Sequence, residues 1–242
     1  MRIYTKDELP QHLPTGEANP DWLAMRGNKF TASDFYLFMS LLEKGKLTDT
    51  AESKLYEKVL ANFGDYPENI TSAAMECGTE LEPEARAEYI AETFNDVQEV
   101  GFVDYESLRA GCSPDGVIYY TTNIINDEVW AGDHFRKIKP KKYVCIDRTV
   151  IDKIIEIKCP GIKNYIKMAK GKIPMQYIVQ MQYNMLITGA KSCDFVVYHP
   201  RMRLVIKNIK PDEQMQKDIQ TVLEKLNPMY DEILSDIETM RN

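Results

Sequence analysis

Two short stretches constrain this chain more than any other feature: "CSPDGV", residues 112–117, and "IIEIKCPG", residues 154–161. Each sets an acid in an otherwise apolar or turn-forming context. Alternate residues of a strand point to the same face. Glu156 and Lys158 therefore project side by side, while Ile155 and Ile157 project the other way, into a core. Asp115 opens the preceding strand, between the turn formers Pro114 and Gly116. Adjacent strands lie about 4.8 Å apart, so in-register pairing brings two carboxylates and an ammonium to one sheet edge. The alternative is a surface Glu–Lys pair on an edge strand, which stabilises a fold by little and sits poorly with the apolar neighbours.

Phosphodiester hydrolysis can use such a set. Two carboxylates bind a hard divalent cation through oxygen and leave room for waters and a phosphate. A pair of such ions stabilises the attacking and leaving oxygens. Mg²⁺ fits this shell, and Mn²⁺ can substitute. Lys158 is placed to orient or deprotonate the attacking water, or to stabilise the developing charge. The Ile157 carbonyl lies between the two side chains and is placed to be a further ligand.

Charge distribution points to a polyanionic partner that the net charge of −7 conceals. Residues 1–135 carry 10 Lys and Arg against 25 Asp and Glu, and residues 211–242 carry 3 against 8. Residues 136–210 carry 17 against 4, a local footprint suited to phosphates. The bland reading is a solvated basic face that pairs with the acidic first half. The five cysteines are odd in number and form no C-x-x-C pair, which argues against a disulfide framework, a zinc knuckle or an iron–sulfur cluster. Buried fillers are the better reading of Cys112 and Cys159. At 44% hydrophobic the chain can bury a full core, yet no apolar run approaches the roughly 18–20 residues of a membrane span. The start, "MRIYTKDELPQHLPTG", lacks the apolar centre of a signal peptide. A cytoplasmic protein with no membrane partner is expected.

The periodicities predict a mixed order. After a polar arm, "TASDFYLFMSLLEKG" reads as one helix with Phe35, Phe38, Met39 and Leu42 in line, ended by Gly45. "DTAESKLYEKVLANFG" is a second, through Leu55, Val59 and Phe63. "TELEPEARAEYIAETF" is a third, with Pro83 near its first turn. "VQEVGFVDY", "PDGVIYY", "VIDKIIEIKC", "CDFVVYHP" and "LVIKNI" read as strands. Helices are expected from about Lys163 and over Pro174–Thr188, the latter closed by Gly189. Residues 121–149 read as an irregular insert with a basic centre, and an acidic helix is expected from about Pro211. The expectation is one domain, 1–242: a mostly helical part over 1–95, an α/β (α+β) sheet core over 96–210, and a C-terminal helix over 211–242. The sheet would be covered on both faces.

Several motifs, in order, resemble the lambda-exonuclease family of phage recombination nucleases, the YqaJ-like viral recombinases of the PD-(D/E)xK superfamily. They are "WLAMRGNKFTASDF", "GTELEPEAR", "GCSPDGV", "EIKCP", "QYIVQMQYNMLITG" and "FVVYHPRM", and they span roughly residues 20–205. The resemblance implies a restriction-endonuclease-like core, a mixed central sheet flanked by helices. It implies that Asp115, Glu156 and the Ile157 carbonyl hold Mg²⁺, two ions in all, and that Lys158 serves the attacking water. Glu82 would anchor the metal site from the opposite wall, directly or through water; composition alone does not choose it among Glu80, Glu82, Glu84 and Glu88. Gln180 and Tyr177 would line the site. Gln180 is preferred to Gln182 because residues two apart on a helix face nearly opposite ways.

The same resemblance implies a pocket for a terminal 5′-phosphate at Arg26, Ser33 and Ser113, one cation and two hydroxyls. Where the family can add an arginine after E-x-K-C-P, this chain has "GIKNY", so Lys163 takes that place without arginine's bidentate fork. Lys163, Lys167 and Lys170 would contact phosphates without regard to sequence. The forty residues between Asp115 and Glu156 replace a tight hairpin, and a loop that long is usually functional or mobile. The implied activity is 5′→3′ exonucleolytic resection of double-stranded DNA ends to 3′ overhangs in phage-type recombination. The implied assembly is a homo-oligomer, a trimeric ring, that hands the overhang to a single-strand annealing protein in a bacterial host's cytoplasm. Two other readings stand beside it: a PD-(D/E)xK endonuclease or single-strand nuclease without 5′-phosphate selection, and a catalytically idle DNA-end-binding protein.

Overall fold

The computed structural model describes residues 1–15, 17–66, 73–131 and 134–241, with backbone alone for 73–77, 121–131 and 134–149. In chain order these form β1 (Arg2–Thr5), α1 (Pro20–Gly27), β2 (Phe30–Thr31), α2 (Ala32–Phe38), α3 (Ser40–Glu43), α4 (Asp49–Leu60) and α5 (Ala73–Thr93). There follow β3 (Val100–Tyr105), β4 (Ala110–Cys112), β5 (Gly116–Ala131), β6 (His134–Lys158), α6 (Ile162–Ala169), α7 (Met175–Thr188), β7 (Ser192–Val197), β8 (Val205–Ile209) and α8 (Glu213–Arg241).

The strands make two mixed four-stranded sheets rather than the single sheet expected. Their orders are β1-β3-β4-β2 and β5-β6-β7-β8, joined by an isolated bridge between Gln98 and Val117. In the second sheet β6 runs antiparallel to β5 and parallel to β7. The alternation read from "IIEIK" holds. Ile155 and Ile157 pack with Ala85 and Tyr89 of α5 and Val196 of β7. Ile154, Cys193, Phe195 and Val197 join the larger core with α2, α4, α7 and α8. The sheet is thus covered on both faces, and β6 carries Glu156 and Lys158 on the α7 side.

Four expectations need correction. Residues 121–149 are not irregular: the described backbone there extends β5 and β6 into a two-stranded ribbon, paired from Gly116 with Ile155 out to Ala131 with His134. The lysines and Pro140 hid a strand pattern. Pro140 falls where the register shifts, between the Glu128–Lys137 and Asn126–Lys141 pairs, and a bulge tolerates its missing N–H. The predicted helix over 31–45 breaks at Met39 into α2 and α3, and the Ser40 hydroxyl donates to the Leu37 carbonyl there at 3.0 Å. Helix α5 begins two turns before Thr79, so Pro83 lies in its interior. The polar arm contributes β1, an edge strand beside β3. Gly45 and Gly189 do close their helices, at φ of 69° and 70°.

A buried polar knot fixes α5 against the second sheet at the end away from Glu156. Asp194 of β7, 4% exposed, accepts from Tyr89 of α5 at 2.7 Å, Lys153 of β6 at 2.8 Å and Asn208 of β8 at 2.6 Å. Burial pushes its carboxyl up, but the bonds from Asn208, Lys153 and Tyr89 together hold it below the ordinary value. Asp194→Ala leaves three donors without their acceptor and should lower unfolding stability by about 3 kcal/mol or more. Urea unfolding monitored by circular dichroism tests this, and a loss within about 0.5 kcal/mol, ordinary for a surface change, would refute it.

Candidate active site

Asp115 reaches its place because the chain crosses tightly onto β6. A Cβ on Gly116 would stand 2.8 Å from the Ile155 side chain and 2.5 Å from that of Val97, so a larger residue there would have to displace both. With that approach made, Asp115 Oδ2 accepts from the Ile157 amide at 2.6 Å. Glu156 is fully buried. Its Oε1 takes the Lys158 ammonium at 2.5 Å, and its Oε2 accepts from Asn184 Nδ2 of α7 at 3.1 Å. The ammonium also lies 5.0 Å from the centre of the Tyr177 ring, within cation–π range. From the other face, α5 brings Glu82 and, one turn later, Arg86. The Arg86 guanidinium pairs with Glu82, donates to the Asp115 carbonyl at 3.0 Å and meets Glu99 at 3.1 Å.

These contacts leave the site short of positive charge. Burial first, and then Asp115, push the Glu82 carboxyl up to about 7 against the pull of Arg86. Burial also lifts Glu156 to about 7, although Lys158 opposes it. Asp115 is raised as well, by burial, against the lowering effects of Lys158, the Ile157 amide and Arg86. Burial alone would lower the Lys158 ammonium; Glu156 and Asp115 hold it well above the ordinary lysine value instead. Lys158 is therefore a fixed cation at neutral pH, suited to orienting water or stabilising charge rather than removing a proton.

The donor set suits a hard divalent cation. Asp115, Glu156, Glu82 and the Ile157 carbonyl offer oxygen alone, and Asn184 Oδ1 is buried with no hydrogen-bond partner among the described residues. Among those residues no three His, Cys, Asp or Glu side chains converge closely enough to enclose an ion as they stand. Each carboxylate is instead turned to an internal donor: Asp115 to an amide, Glu156 to Lys158, Glu82 to Arg86. Mg²⁺ needs only one or two carboxylates and keeps several waters, so this arrangement still fits it.

Of the other predicted residues, Arg26 and Ser33 meet directly, Arg26 Nη2 donating to Ser33 Oγ at 2.9 Å. Ser113 joins them through Trp22. The Arg26 guanidinium stacks 4.9 Å above the Trp22 ring, and the Trp22 indole and the Ser113 hydroxyl both donate to the Gly101 carbonyl, at 3.2 and 2.9 Å. Lys163, Lys167 and Lys170 are exposed in one row along α6 and its C-cap. Gln180 is half-buried one turn before Asn184, and among the described residues it makes no hydrogen bond to the acidic cluster. Gln182 is buried and structural: it donates to the Lys210 carbonyl and accepts from the Asp212 amide.

Sequence reasoning missed Asn184 and Arg86. Arg86 stood inside the quoted "GTELEPEAR" motif, four residues after Glu82, a spacing that pairs side chains on a helix. Asn184 is one turn beyond Gln180 on the same face of α7, the nearest signal for it. Of the two cysteines read as buried fillers, Cys112 is buried but Cys159 is only half-buried; Cys193 is buried as well, while Cys77 and Cys145 lie outside the residues whose side chains are described.

Residues 21–191 match the YqaJ-like viral recombinase domain. Among solved structures, an alkaline exonuclease (LHK-Exo) from Laribacter hongkongensis is 28% identical, with a TM-score of 0.70 over 92% of this chain and 98% of that one. The same exonuclease in complex with dAMP gives 29% identity, the same TM-score and the same coverage. A phage-related exonuclease from Haemophilus somnus 129PT, 16% identical, shares the fold at a TM-score of 0.59 over 86% of this chain and 96% of that one. No curated protein matches the chain in sequence. The core is the PD-(D/E)xK type expected.

The raised carboxylates carry a stability consequence. Glu82 and Glu156 hold protons in the fold up to about pH 7 but lose them near 4.5 when unfolded. Their contribution is therefore full below about pH 4.5 and is lost as pH rises through about 7. With divalent cations chelated, the melting temperature should fall between pH 5 and pH 7.5, and less steeply in Glu156→Gln. Parallel pH slopes for wild type and variant in differential scanning fluorimetry would contradict the burial of that charge.

Proposed function

The chain belongs to the YqaJ-like viral recombinase family, and from that premise we propose that it is a Mg²⁺-dependent 5′→3′ exonuclease of double-stranded DNA. The observation that carries this reading is Glu156, fully buried yet ionisable, held between Lys158 and Asn184 beside Asp115. Asp115, Glu156 and the Ile157 carbonyl would hold Mg²⁺, with Glu82 directly or through water. When bound, the metal supplies charge to the phosphate and lowers the pKa of an attacking water.

The chain's own residues do the rest. Lys158, kept charged by its acidic neighbours, orients the water and stabilises negative charge at the phosphorus. Asn184 and Tyr177 fix the positions of Glu156 and Lys158. Arg86 holds Glu82 and the Asp115 backbone in one frame. Gln180 lines the approach from α7. Arg26, Ser33 and Ser113 take the terminal 5′-phosphate, which sets the polarity of digestion. The α6 row of Lys163, Lys167 and Lys170 grips the phosphate backbone without reading bases. A relative bound to dAMP, a deoxynucleoside monophosphate, supports release of single nucleotides from an end. Resection to 3′ overhangs, a ring-shaped homotrimer, a single-strand annealing partner and residence in a bacterial cytoplasm complete the proposal. Among the described residues no helix is long and apolar enough to cross a membrane.

With Mg²⁺, a linear duplex labelled on one strand should lose its 5′-phosphorylated strand while a closed circle survives. Glu156→Gln should cut the rate by about 10⁴-fold or more while DNA binding persists. Cutting of the circle would replace the exonuclease with an endonuclease, and an active Glu156→Gln would move the active site elsewhere. Replacing Lys163, Lys167 and Lys170 by alanine should lower the salt slope of duplex binding by about 0.9 for each phosphate no longer neutralised. An unchanged slope would remove α6 from the DNA-binding surface.

A further inference from the structure

The corner where α1, α2 and α4 meet sets two cations against one carboxylate. Arg26, in the last turn of α1, reaches Ser33. Lys58, on α4, is 6% exposed, with its Nζ 3.4 Å from Asp34 Oδ2. That same Asp34 oxygen accepts from the Thr31 hydroxyl at 3.4 Å. Asp34 attracts Arg26 as well as Lys58, so the two cations share it, and Arg26 in turn repels Lys58.

A buried lysine needs a reason here. Its helix neighbours Leu55 and Val59 are fully buried and apolar, and an aliphatic residue at 58 would extend that packing at no electrostatic cost. A buried ammonium with one loose partner is expensive. Lys54, on the same helix, adds further repulsion although it pairs with Glu57. From α8 the contact is neutral: the Tyr230 hydroxyl donates to the Lys58 carbonyl at 3.2 Å. The corner therefore carries surplus positive charge. Ser33, which Arg26 reaches, is exposed at the edge of this corner.

We propose that Lys58 is the second cation of the terminal-phosphate pocket, completing Arg26, Ser33 and Ser113, and that Lys163 is not. This rests on reading Arg26, Ser33 and Ser113 as the 5′-phosphate site. A terminal phosphate has a second ionisation near pH 6 and is close to a dianion at neutral pH. An internal phosphodiester carries a single charge. Two cations that one carboxylate only half neutralises match the terminal group and discriminate against an internal one. Lys163 is exposed on α6, where solvent screens it. Burial, then Arg26 and Lys54, bring the Lys58 ammonium down to about 8 against the pull of Asp34. Preference for phosphorylated ends should then weaken as pH rises through about 8 in the free enzyme.

The test is the ratio of initial digestion rates on 5′-phosphoryl and 5′-hydroxyl linear duplexes, for wild type, Lys58→Met, Lys58→Arg, Asp34→Asn and Lys163→Ala. Melting curves check that each variant folds. Lys58→Met should lower the ratio by about tenfold to a hundredfold. Lys58→Arg should restore most of it and carry the preference to higher pH, because a guanidinium stays charged. Asp34→Asn should keep the ratio or raise it. A lysine that merely served Asp34 would make Asp34→Asn behave like Lys58→Met and leave no pH dependence near 8; that outcome overturns the proposal. If wild type selects phosphorylated ends and Lys58→Met does so equally, Lys58 is excluded while the pocket stands, and a drop in Lys163→Ala would name its replacement. If wild type shows no selection, the pocket and Lys58 fall together. Should Lys58→Met fail to fold, the Lys58→Arg pH profile and the Asp34→Asn ratio decide the matter.

Discussion

The fold turns on a single costly placement, the carboxyl of Glu156 inside the sheet. An isolated carboxylate in such surroundings would cost several kcal/mol. The chain answers with one ammonium and one amide, on Oε1 and Oε2. Both depend on register. Lys158 is beside Glu156 only because β6 stays extended through it, and Asn184 arrives only because α7 packs flat across that face. The companion carboxylate, Asp115, is fixed by the next residue of the same strand, through the Ile157 amide. A slip of one residue in β6 would turn Glu156 toward α5 and an isoleucine toward α7. The apolar residues on both sides of the acid are what prevent that slip.

The two helices that cover the sheet do unequal work for the site. Helix α7 supplies neutral groups, Asn184 and Tyr177, which hold the acid and the lysine without changing the charge. Helix α5 supplies charge, Glu82 and Arg86, and its distance from the sheet is set at the far end by Tyr89 on Asp194. Arg86 is asked to serve Glu82, Glu99 and the Asp115 carbonyl at once. Burial, and then Asp115, outweigh that shared guanidinium, so Glu82 stays raised although it has an ion-pair partner. The internal cations make the cluster foldable, and the remaining deficit is what a divalent ion would fill.

Legibility in the sequence followed the range of the interaction. The sidedness of β6 was readable because a period of two is local, and it was right: Ile155 and Ile157 face α5 and Glu156 does not. Helix ends marked by Gly45 and Gly189 were readable for the same reason. The break at Met39 and the long start of α5 were not, because burial of Phe35 and Phe38 in one core and the packing of α5 on β6 override local propensity. Residues 121–149 were misread because lysines and a proline outweighed a pairing that only the opposite strand reveals. At the site, Asp115, Glu156 and Lys158 stood out as polar residues in apolar strands. Asn184 did not, since a polar residue on a mostly apolar helix carries no mark of which acid it will meet. Gln182 serves the α8 junction, Gln180 makes no hydrogen bond to the acidic cluster among the described residues, and the hydrogen bond to Glu156 comes from one turn further on, at Asn184.

Lys58 belongs to the class of residue that sequence reading passes over. In "ESKLYEKVLANF" it looks like one more solvent-facing lysine on an amphipathic helix. Only the approach of α1 and α2 shows that it is covered. The same physics links it to Glu156. In each place the fold keeps a charge where an apolar side chain would pack at lower cost, and in each the internal counter-charge falls short of neutralising it. Around Glu156 the shortfall is positive charge, and around Lys58 it is negative. On the proposed reading a cation and a phosphate dianion would be the complementary occupants, and a phosphorylated nucleic-acid end held with a divalent ion would bring both at once. The stability given up at two separate corners would then be recovered by one ligand. That is the thermodynamic basis on which an end, rather than the middle of a duplex, would be favoured.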